Sequence, residues 1–292
     1  MVALPYHQRI VAGTSAQVSW QQIGGDGEPV DPGTVTVTVT RADGTSLAAG
    51  AATTGSGTSA RTYTLSAAVT AVLDRLTVAW SSAGVVLATT EVDVTAAPWF
   101  SNAELRAAES AVRDIATYTP ARITIARLLT EAFFERVTHV RFVPGYSLEM
   151  LPGSGSARLV VGHPYVRRVR SASLFSDPAQ PAFETLAAGE LAAIPASSSG
   201  VVSRYQGVWC ADWVRIGYEW GHAFPPADLR RQAMRFCREV LLGDKSQIPD
   251  AAVTWSSTEA GGFSSVLVTP GVRGAHTRLP SVNEALDAWT FT

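Results

Sequence analysis

The spacing of apolar residues changes abruptly between Ala96 and Phe100, and this change limits the fold more than any other feature of the sequence. Before it, apolar and polar residues alternate with the period of two that is typical of strands with one buried face. After it, apolar residues recur every three or four positions, as they do along an amphipathic helix. The sequence therefore predicts two regions that differ in fold class.

The first 96 residues predict a small all-β domain. The stretch at 34–40 reads TVTVTVT, so its valines share one face and its threonines the other. Turn-forming stretches separate roughly five to seven short strands, which favours a two-sheet sandwich with Trp20 and Trp80 in its core. The pattern resembles the immunoglobulin-like domains that are appended to bacterial and phage proteins. It carries no functional motif.

Two helices joined tightly, as a hairpin or a corner, are predicted directly after the change. Ser101 and Glu104 have the S-x-x-E spacing of a capping box, and apolar residues then recur as far as Ile115. Thr119 followed by Pro120 gives the start of the second helix. The apolar residues of that helix predict its buried stripe, which comprises Ile125, Leu128, Leu129, Ala132 and Phe133.

Strand-like stretches return between residues 139 and 220, so a small antiparallel sheet is predicted as an insertion between helices. A helix follows at 226–242, with Phe236 on its apolar stripe and Arg238 nearer its polar side. Beyond it, 246–280 predicts mostly loop. The predicted fold class is multidomain α+β, with an all-β sandwich (1–96), a helical domain that contains the inserted sheet (97–250), and an extended C-terminal segment with a short terminal helix (251–292).

Residue types that carry catalysis or bind metals show no recognised arrangement in the sequence. The histidines form no H-x-x-x-H pair, and neither G-x-S-x-G nor a phosphate-loop motif occurs. With two cysteines, Cys210 and Cys237, a disulfide framework and a cysteine-rich zinc site are excluded. Both cysteines are expected to be reduced core residues. The sequence therefore predicts no enzymatic activity, no cofactor and no metal.

The net charge and the hydropathy of the chain restrict the classes of partner that it is expected to bind. The formal net charge of -2 gives no general attraction to nucleic acid. No apolar stretch approaches the roughly 18 residues of a membrane span, and the first residues lack the basic-then-apolar order of a signal peptide. We therefore expect a soluble, unexported chain without a membrane partner. The basic stretch RRVR at 167–170 is interpreted as a surface or subunit-facing strand.

Aromatic residues and arginines are concentrated in and after the inserted sheet. Five aromatic residues lie between positions 205 and 220, more than one face of a small sheet would bury. Aromatic residues together with Arg are typical of protein interfaces. The predicted interface residues are Trp209, Trp213, Tyr218, Trp220, Arg230, Arg231, Val266, Val268 and Arg273.

The order of these segments resembles that of the head-to-tail connector (adaptor) proteins of long-tailed bacteriophages, in particular actinobacteriophages. The resemblance covers about residues 98–289 and rests on the helix pair, the inserted sheet, the strand that ends in IGYEWG, and the helix that follows it. The segment LVTPGVRGAHTRLPSVNEAL at 267–286 also looks like the C-terminal part of these adaptors. The matching positions of the strand and helix are Tyr218, Gly221, Pro226, Asp228, Gln232 and Ala233.

The resemblance implies a structural virion protein at the head-to-tail interface, or neck. A homo-oligomeric ring is expected, dodecameric by resemblance, which docks on the portal protein and receives a stopper or tail-completion protein. Genomic DNA would pass through the lumen without sequence-specific binding, and the chain would be made in the host cytoplasm. Two alternatives stay open: a phage surface protein whose immunoglobulin-like domain binds a host glycan or receptor, and an enzyme of unrecognised type.

Overall fold

The computed structural model describes residues 8–55, 57, 59–205, 207–210, 212–243, 276–277 and 279–290, together with the backbone of two strands at 252–257 and 263–267. The chain divides into two compact units, one formed by residues 1–97 and 143–222 and the other by residues 98–142 and 223–292. The fold is a mixture of helices and β-sheets, as predicted. The three predicted domains have boundaries that differ from those of these units, and they stay a prediction.

The described residues form fifteen strands and five α-helices. The strands are β1 Gln8–Val11, β2 Ala16–Gln21, β3 Thr36–Arg41, β4 Ser46–Ala52, β5 Ala60–Leu65, β6 Asp74–Ser82, β7 Val85–Thr95, β8 Gly145–Pro152, β9 Arg158–Val160, β10 Val166–Phe175, β11 Glu184–Thr185, β12 Val201–Ser203, β13 Trp213–Trp220, β14 Ala252–Ser257 and β15 Phe263–Leu267. The helices are α1 Asn102–Ala108, α2 Pro120–Thr138, α3 Ala188–Ala193, α4 Ala227–Leu242 and α5 Pro280–Trp289.

The described residues up to Ala97 form two sheets that share one hydrophobic core. The larger sheet has the strand order β1-β7-β6-β3-β4, and the smaller pairs β2 with β5. The valines of the TVTVTVT stretch are buried, whereas Thr36, Thr38 and Thr40 are only partly buried. Trp80 is fully buried, and the partly exposed Trp20 stacks on it with ring centroids 6.1 Å apart. The alternation of Val and Thr therefore predicted the buried face of this strand correctly. Burying each Val side chain stabilises the fold by roughly 1.5–3 kcal/mol, which favours the arrangement that places the valines inside.

The inserted sheet has the strand order β11-β10-β13-β8, and β9 and β12 form a separate pair beside it. The central strand β13 is antiparallel to both of its neighbours. Gly217 on β13 lies against the Tyr146 hydroxyl and the Ser171 side chain, so a Cβ at this position would overlap both of them. The inserted sheet lies where the sequence predicts it, but the short helix α3 falls in a stretch that was predicted as turns.

Helices α1 and α2 begin at the predicted caps. Ser101 Oγ accepts the Glu104 N–H at 3.1 Å, and the Glu104 carboxylate accepts the Ser101 N–H at 2.7 Å. Thr119 caps α2 with Pro120 in its first turn. The predicted continuation of α1 to Ile115 is wrong, because Glu109 has an extended backbone after Ala108. A single 3-10 turn follows, and Ile115 is 63% exposed.

Helix α4 buries Leu229, Ala233, Cys237 and Leu241, and its first turn is preset by Pro226. Burial raises the pKa of the Cys237 thiol to about 12, so this residue stays protonated. Cys210 is exposed, and its prediction as a core residue is wrong. Among the described residues, no helix is both long and apolar enough to cross a membrane.

The segment predicted to be mostly loop after residue 246 contains an antiparallel hairpin, formed by β14 and β15. Hydrophobic spacing missed it because both strands are short and contain several serines. The terminal helix α5 begins with Pro280 and buries Val282 and Leu286, in agreement with the predicted short helix.

Candidate assembly interface

The buried side of helix α2 contains more polar residues than the core-facing side of a helix usually does. Its buried residues are Ile123, Ala126, Thr130, Glu131, Phe134 and Thr138. The hydroxyls of Thr130 and Thr138 each donate to a carbonyl one turn earlier, at 2.8 Å. The Glu131 carboxylate accepts the backbone N–H of Trp99 at 3.0 Å and lies 3.6 Å from Arg127 Nε. A buried carboxylate requires such partners, so these contacts determine which side of α2 faces inward.

The opposite side of α2 is apolar and exposed. Ile125 and Leu129 are 55% and 43% exposed, and Ala121 and Ala132 are exposed as well. Positions spaced by three and four residues form one ridge along a helix. We name these four residues the α2 outer face. This row of exposed aliphatic residues is a candidate for a surface that another protein covers.

The predicted buried stripe of α2 is therefore wrong for most of its residues. Ile125, Leu129 and Ala132 are exposed, whereas Leu128 and Phe133 are partly buried. Apolar residues surround most of this helix, and periodicity cannot choose between two apolar sides. The polar residues on the inner side find partners within the fold, which the sequence pattern does not reveal.

Two exposed arginines border the α2 outer face. The Arg122 guanidinium lies 5.6 Å from the centroid of the Tyr118 ring and donates to the Thr117 carbonyl at 2.6 Å. The Arg136 guanidinium lies 5.7 Å from the Phe133 ring centroid. Contact with an aromatic ring orients such a cation. Arginines beside an apolar centre are typical of protein–protein interfaces.

The predicted interface arginines lie in the first turns of α4. Arg230 Nε donates to the Trp99 carbonyl at 2.7 Å, and its Nη2 pairs with the Glu104 carboxylate. The Ser101 N–H, with Arg230 as a further contribution, lowers the pKa of Glu104. Arg231 is exposed. Arg230 thus links α4 to the start of α1, whereas Arg231 is accessible to a partner; the interface role of both stays a prediction.

The predicted aromatic interface does not form one surface patch. Trp209 and Tyr218 are fully buried in the core of the inserted sheet, so the expectation that they are exposed is wrong. The sheet buries more aromatic residues than expected because strands β9 and β12 supply a second wall to its core. Trp213 is 37% exposed and Trp220 is partly buried, and they lie at opposite ends of β13. Their interface role stays a prediction.

Tyr218 belongs to a partly buried polar network. Its hydroxyl donates to Glu149 Oε1 at 2.5 Å, and the Gly162 N–H donates to Oε2 at 2.9 Å. The His163 ring, 3.6 Å from the same carboxylate, stacks on Trp220 at a centroid distance of 3.8 Å. Burial, followed by the bond to Glu149, raises the pKa of Tyr218. Because the phenol stays protonated and both carboxylate oxygens accept hydrogen bonds, the network joins β8 to β13 structurally.

The remaining predicted interface residues belong to the C-terminal segment. Val266 lies in β15, whereas Val268 and Arg273 lie outside the described residues. Within the described part of the chain, no group of three or more His, Cys, Asp or Glu side chains is arranged to hold a metal ion.

Comparisons with solved structures give a structural likeness of low similarity. No protein family matches the chain. A search of curated proteins also gave no match. Among solved structures, a chain described as the neck of an empty GTA particle, computed with C6 symmetry, has 15% sequence identity and a TM-score of 0.35. The match covers 46% of this chain and 71% of the other. Because the identity and the TM-score are this low, no functional conclusion follows from it.

Proposed function

We propose that this chain is a structural, non-enzymatic protein of the virion neck. It acts as a head-to-tail adaptor that forms a homo-oligomeric ring between the portal protein and the tail-completion proteins, and residues 1–96 are an appended immunoglobulin-like domain. The sequence resemblance over residues 98–289 supports this role. The helix pair, the inserted sheet and the helix after Pro226 occur in the order that the resemblance implies.

The observation that most supports the proposal is the exposure of aliphatic side chains on the α2 outer face. Ile125 and Leu129 expose about half of their surface, and covering such side chains is worth roughly 1 kcal/mol each. In a closed ring every subunit presents one surface to a different surface of its neighbour. The α2 outer face is one of these surfaces, with Arg122 and Arg136 at its border. Arg231 and the C-terminal segment then contact the portal or the stopper protein.

The non-enzymatic part of the proposal has a separate basis. The sequence contains no recognised nucleophile, metal or phosphate motif. The Glu149–Tyr218 network has the polar side chains that acid–base chemistry uses, but its hydrogen bonds are made within the fold. A protein that acts by assembly needs contact surfaces, and the α2 outer face is one candidate.

Two charged substitutions on the α2 outer face test the proposal. Assembly of the purified chain, alone and with portal rings from the same particle, is followed by analytical ultracentrifugation and negative-stain microscopy. The double variant Ile125→Glu/Leu129→Glu is expected to stay monomeric while keeping the wild-type circular dichroism spectrum and melting temperature. The control is Ile115→Glu, which places a glutamate at another exposed aliphatic residue and is expected to assemble.

Two outcomes contradict the proposal. Rings that form as readily with Ile125→Glu/Leu129→Glu as with the wild-type chain would exclude the α2 outer face as the subunit contact. A wild-type chain that forms no ring under either condition would exclude the adaptor role itself.

A further inference from the structure

The charges at the two ends of the α2 outer face restrict what can cover it. One row along α2 consists of exposed residues spaced by three and four positions, which are Arg122, Ile125, Leu129, Ala132 and Arg136. A second α2 helix packed on this row, in either direction, would place arginine against arginine, and the row itself contains no carboxylate. The α2 outer face therefore fits a different surface, in which an aliphatic residue lies beside carboxylates.

The loop at residues 22–30 has that composition, and we call it the acidic loop. Val30 is 44% exposed, and the carboxylate residues Asp26 and Glu28 are exposed as well. The sequence contains no Lys, Arg or His from residue 10 to residue 40, so no basic residue is adjacent to the loop in the chain. The acidic loop is thus complementary in charge to the arginines of the α2 outer face.

Val30 and both carboxylate residues lie on one side of the acidic loop. Ile23 forms an antiparallel bridge with the residue before Val30, so the side chains of Ile23 and Val30 point to opposite sides. A Cβ at Gly24 would lie 2.8 Å from a methyl carbon of Val30 and 2.8 Å from a carboxylate oxygen of Asp26. The Gly24 N–H donates to the Glu28 carbonyl at 2.7 Å, so Glu28 is opposite Gly24 and shares its side.

We infer that the α2 outer face of each subunit binds the acidic loop of the neighbouring copy. The inference rests on the proposed function, and it gives residues 1–96 a role in ring formation. In this contact Val30 packs against Ile125, and Glu28 pairs with Arg122. The spacings agree, because side chains two residues apart on one side of a strand are separated by roughly 6.6–6.8 Å and neighbours on a helix surface by about 5–6 Å. Since the two surfaces differ, successive subunits join head to tail.

Exchange of the two charges tests the pairing. In sedimentation velocity, Arg122→Glu alone and Glu28→Arg alone are each expected to weaken subunit association by about 10-fold, because each places like charges together. A chain that carries both changes is expected to regain the association of the wild-type chain. The control uses Arg136, 14 residues and about 21 Å along the helix from Arg122. Arg136→Glu combined with Glu28→Arg is expected to associate no better than Glu28→Arg alone.

Disulfide formation identifies what covers the α2 outer face. All chains carry Cys210→Ser, which removes the exposed thiol. Rings assembled from equal amounts of an Ile125→Cys chain and a Val30→Cys chain are expected to give covalent heterodimers on oxidation, and neither chain alone is expected to give homodimers. In the control, Ile23→Cys replaces Val30→Cys. Because Ile23 is 50% exposed but lies on the other side of the acidic loop, this mixture is expected to stay reduced.

The outcomes separate this inference from the proposed function. If the wild-type chain forms rings and Ile125→Glu/Leu129→Glu does not, the proposed function stands. In that case, a charge exchange without recovery, or the absence of heterodimers between the Ile125→Cys and Val30→Cys chains, would overturn the inference alone. Homodimers of the Ile125→Cys chain would show that the α2 outer face pairs with itself and would overturn it as well. A wild-type chain that forms no ring overturns both.

Discussion

The buried carboxylate of Glu131 provides the sharpest test of how α2 is oriented. Its side chain is almost inaccessible, with 2% exposed, and it accepts the Trp99 N–H at 3.0 Å. Replacement by Ala leaves that buried N–H without its acceptor, which costs about 1–3 kcal/mol. It also removes the carboxylate 3.6 Å from Arg127, and breaking a buried ion pair costs about 3–5 kcal/mol.

Arg127 also donates to the Phe100 carbonyl at 3.1 Å, so the loss of its charged partner is not complete. We therefore expect Glu131→Ala to lower the free energy of unfolding by about 4 kcal/mol, at the lower end of the combined range. Glu131→Gln keeps an oxygen that accepts the Trp99 N–H and loses only the charge. For this variant we expect a loss that is smaller by about 1–3 kcal/mol, which is the cost of leaving the Trp99 N–H without an acceptor.

Urea unfolding followed by far-ultraviolet circular dichroism measures both losses, since helices of the second unit dominate the signal at 222 nm. The urea dependence of the unfolding free energy should be unchanged, so that the midpoint alone reports stability. If Glu131→Ala is as stable as the wild-type chain, this side of α2 is not buried as described. If Glu131→Gln loses as much stability as Glu131→Ala, the charge of Glu131 matters more than its hydrogen bond with Trp99.

Two further predictions concern α1 and α4. The Ser101 N–H, with Arg230 as a further contribution, holds the pKa of Glu104 below its usual 4.5. The Glu104 carboxylate therefore stabilises the fold above pH 4.5, and this stabilisation is lost as the pH falls further. Melting temperatures between about pH 3 and pH 6 should therefore fall more steeply for the wild-type chain than for Glu104→Gln, and parallel curves would contradict this. The Phe236 ring stacks on the Phe133 ring with centroids 4.9 Å apart, so Phe236→Asp should lower the free energy of unfolding by about 3 kcal/mol or more. Arg238→Ala loses only partly exposed ion pairs and should lower it by about 1 kcal/mol or less. Equal melting temperatures of the two variants would show that this side of α4 is not packed as described.

The elements that the sequence predicts correctly are those with strong local signals. The alternation of TVTVTVT gave a buried valine face, and the caps at Ser101 and Thr119 gave two helix starts. In each case the determining interaction spans only a few residues. Elements with weak local signals were missed, such as α3 and the β14–β15 hairpin, because their residues fit turns as well as regular structure.

The candidate interface was harder to predict because burial depends on contacts between distant residues. Trp209 and Tyr218 look like interface aromatics in the sequence, but strands β9 and β12 enclose them. Ile125 and Leu129 look like core residues, but Glu131 and its partner Trp99, 32 positions earlier, place the other side of α2 inward. No spacing rule along one helix contains that information.

The same distinction applies to segments of the chain that are far apart in sequence. Arg170 of the inserted sheet donates to the carbonyl of Leu73, 97 residues earlier, and its guanidinium lies 4.7 Å from the Tyr146 ring centroid. The Ala96 N–H donates to the Pro144 carbonyl at 3.3 Å. These contacts join strands from both sides of the helix pair into one compact unit. Hydrophobic spacing detects where local structure changes, whereas the packing of the chain decides which segments stabilise one another.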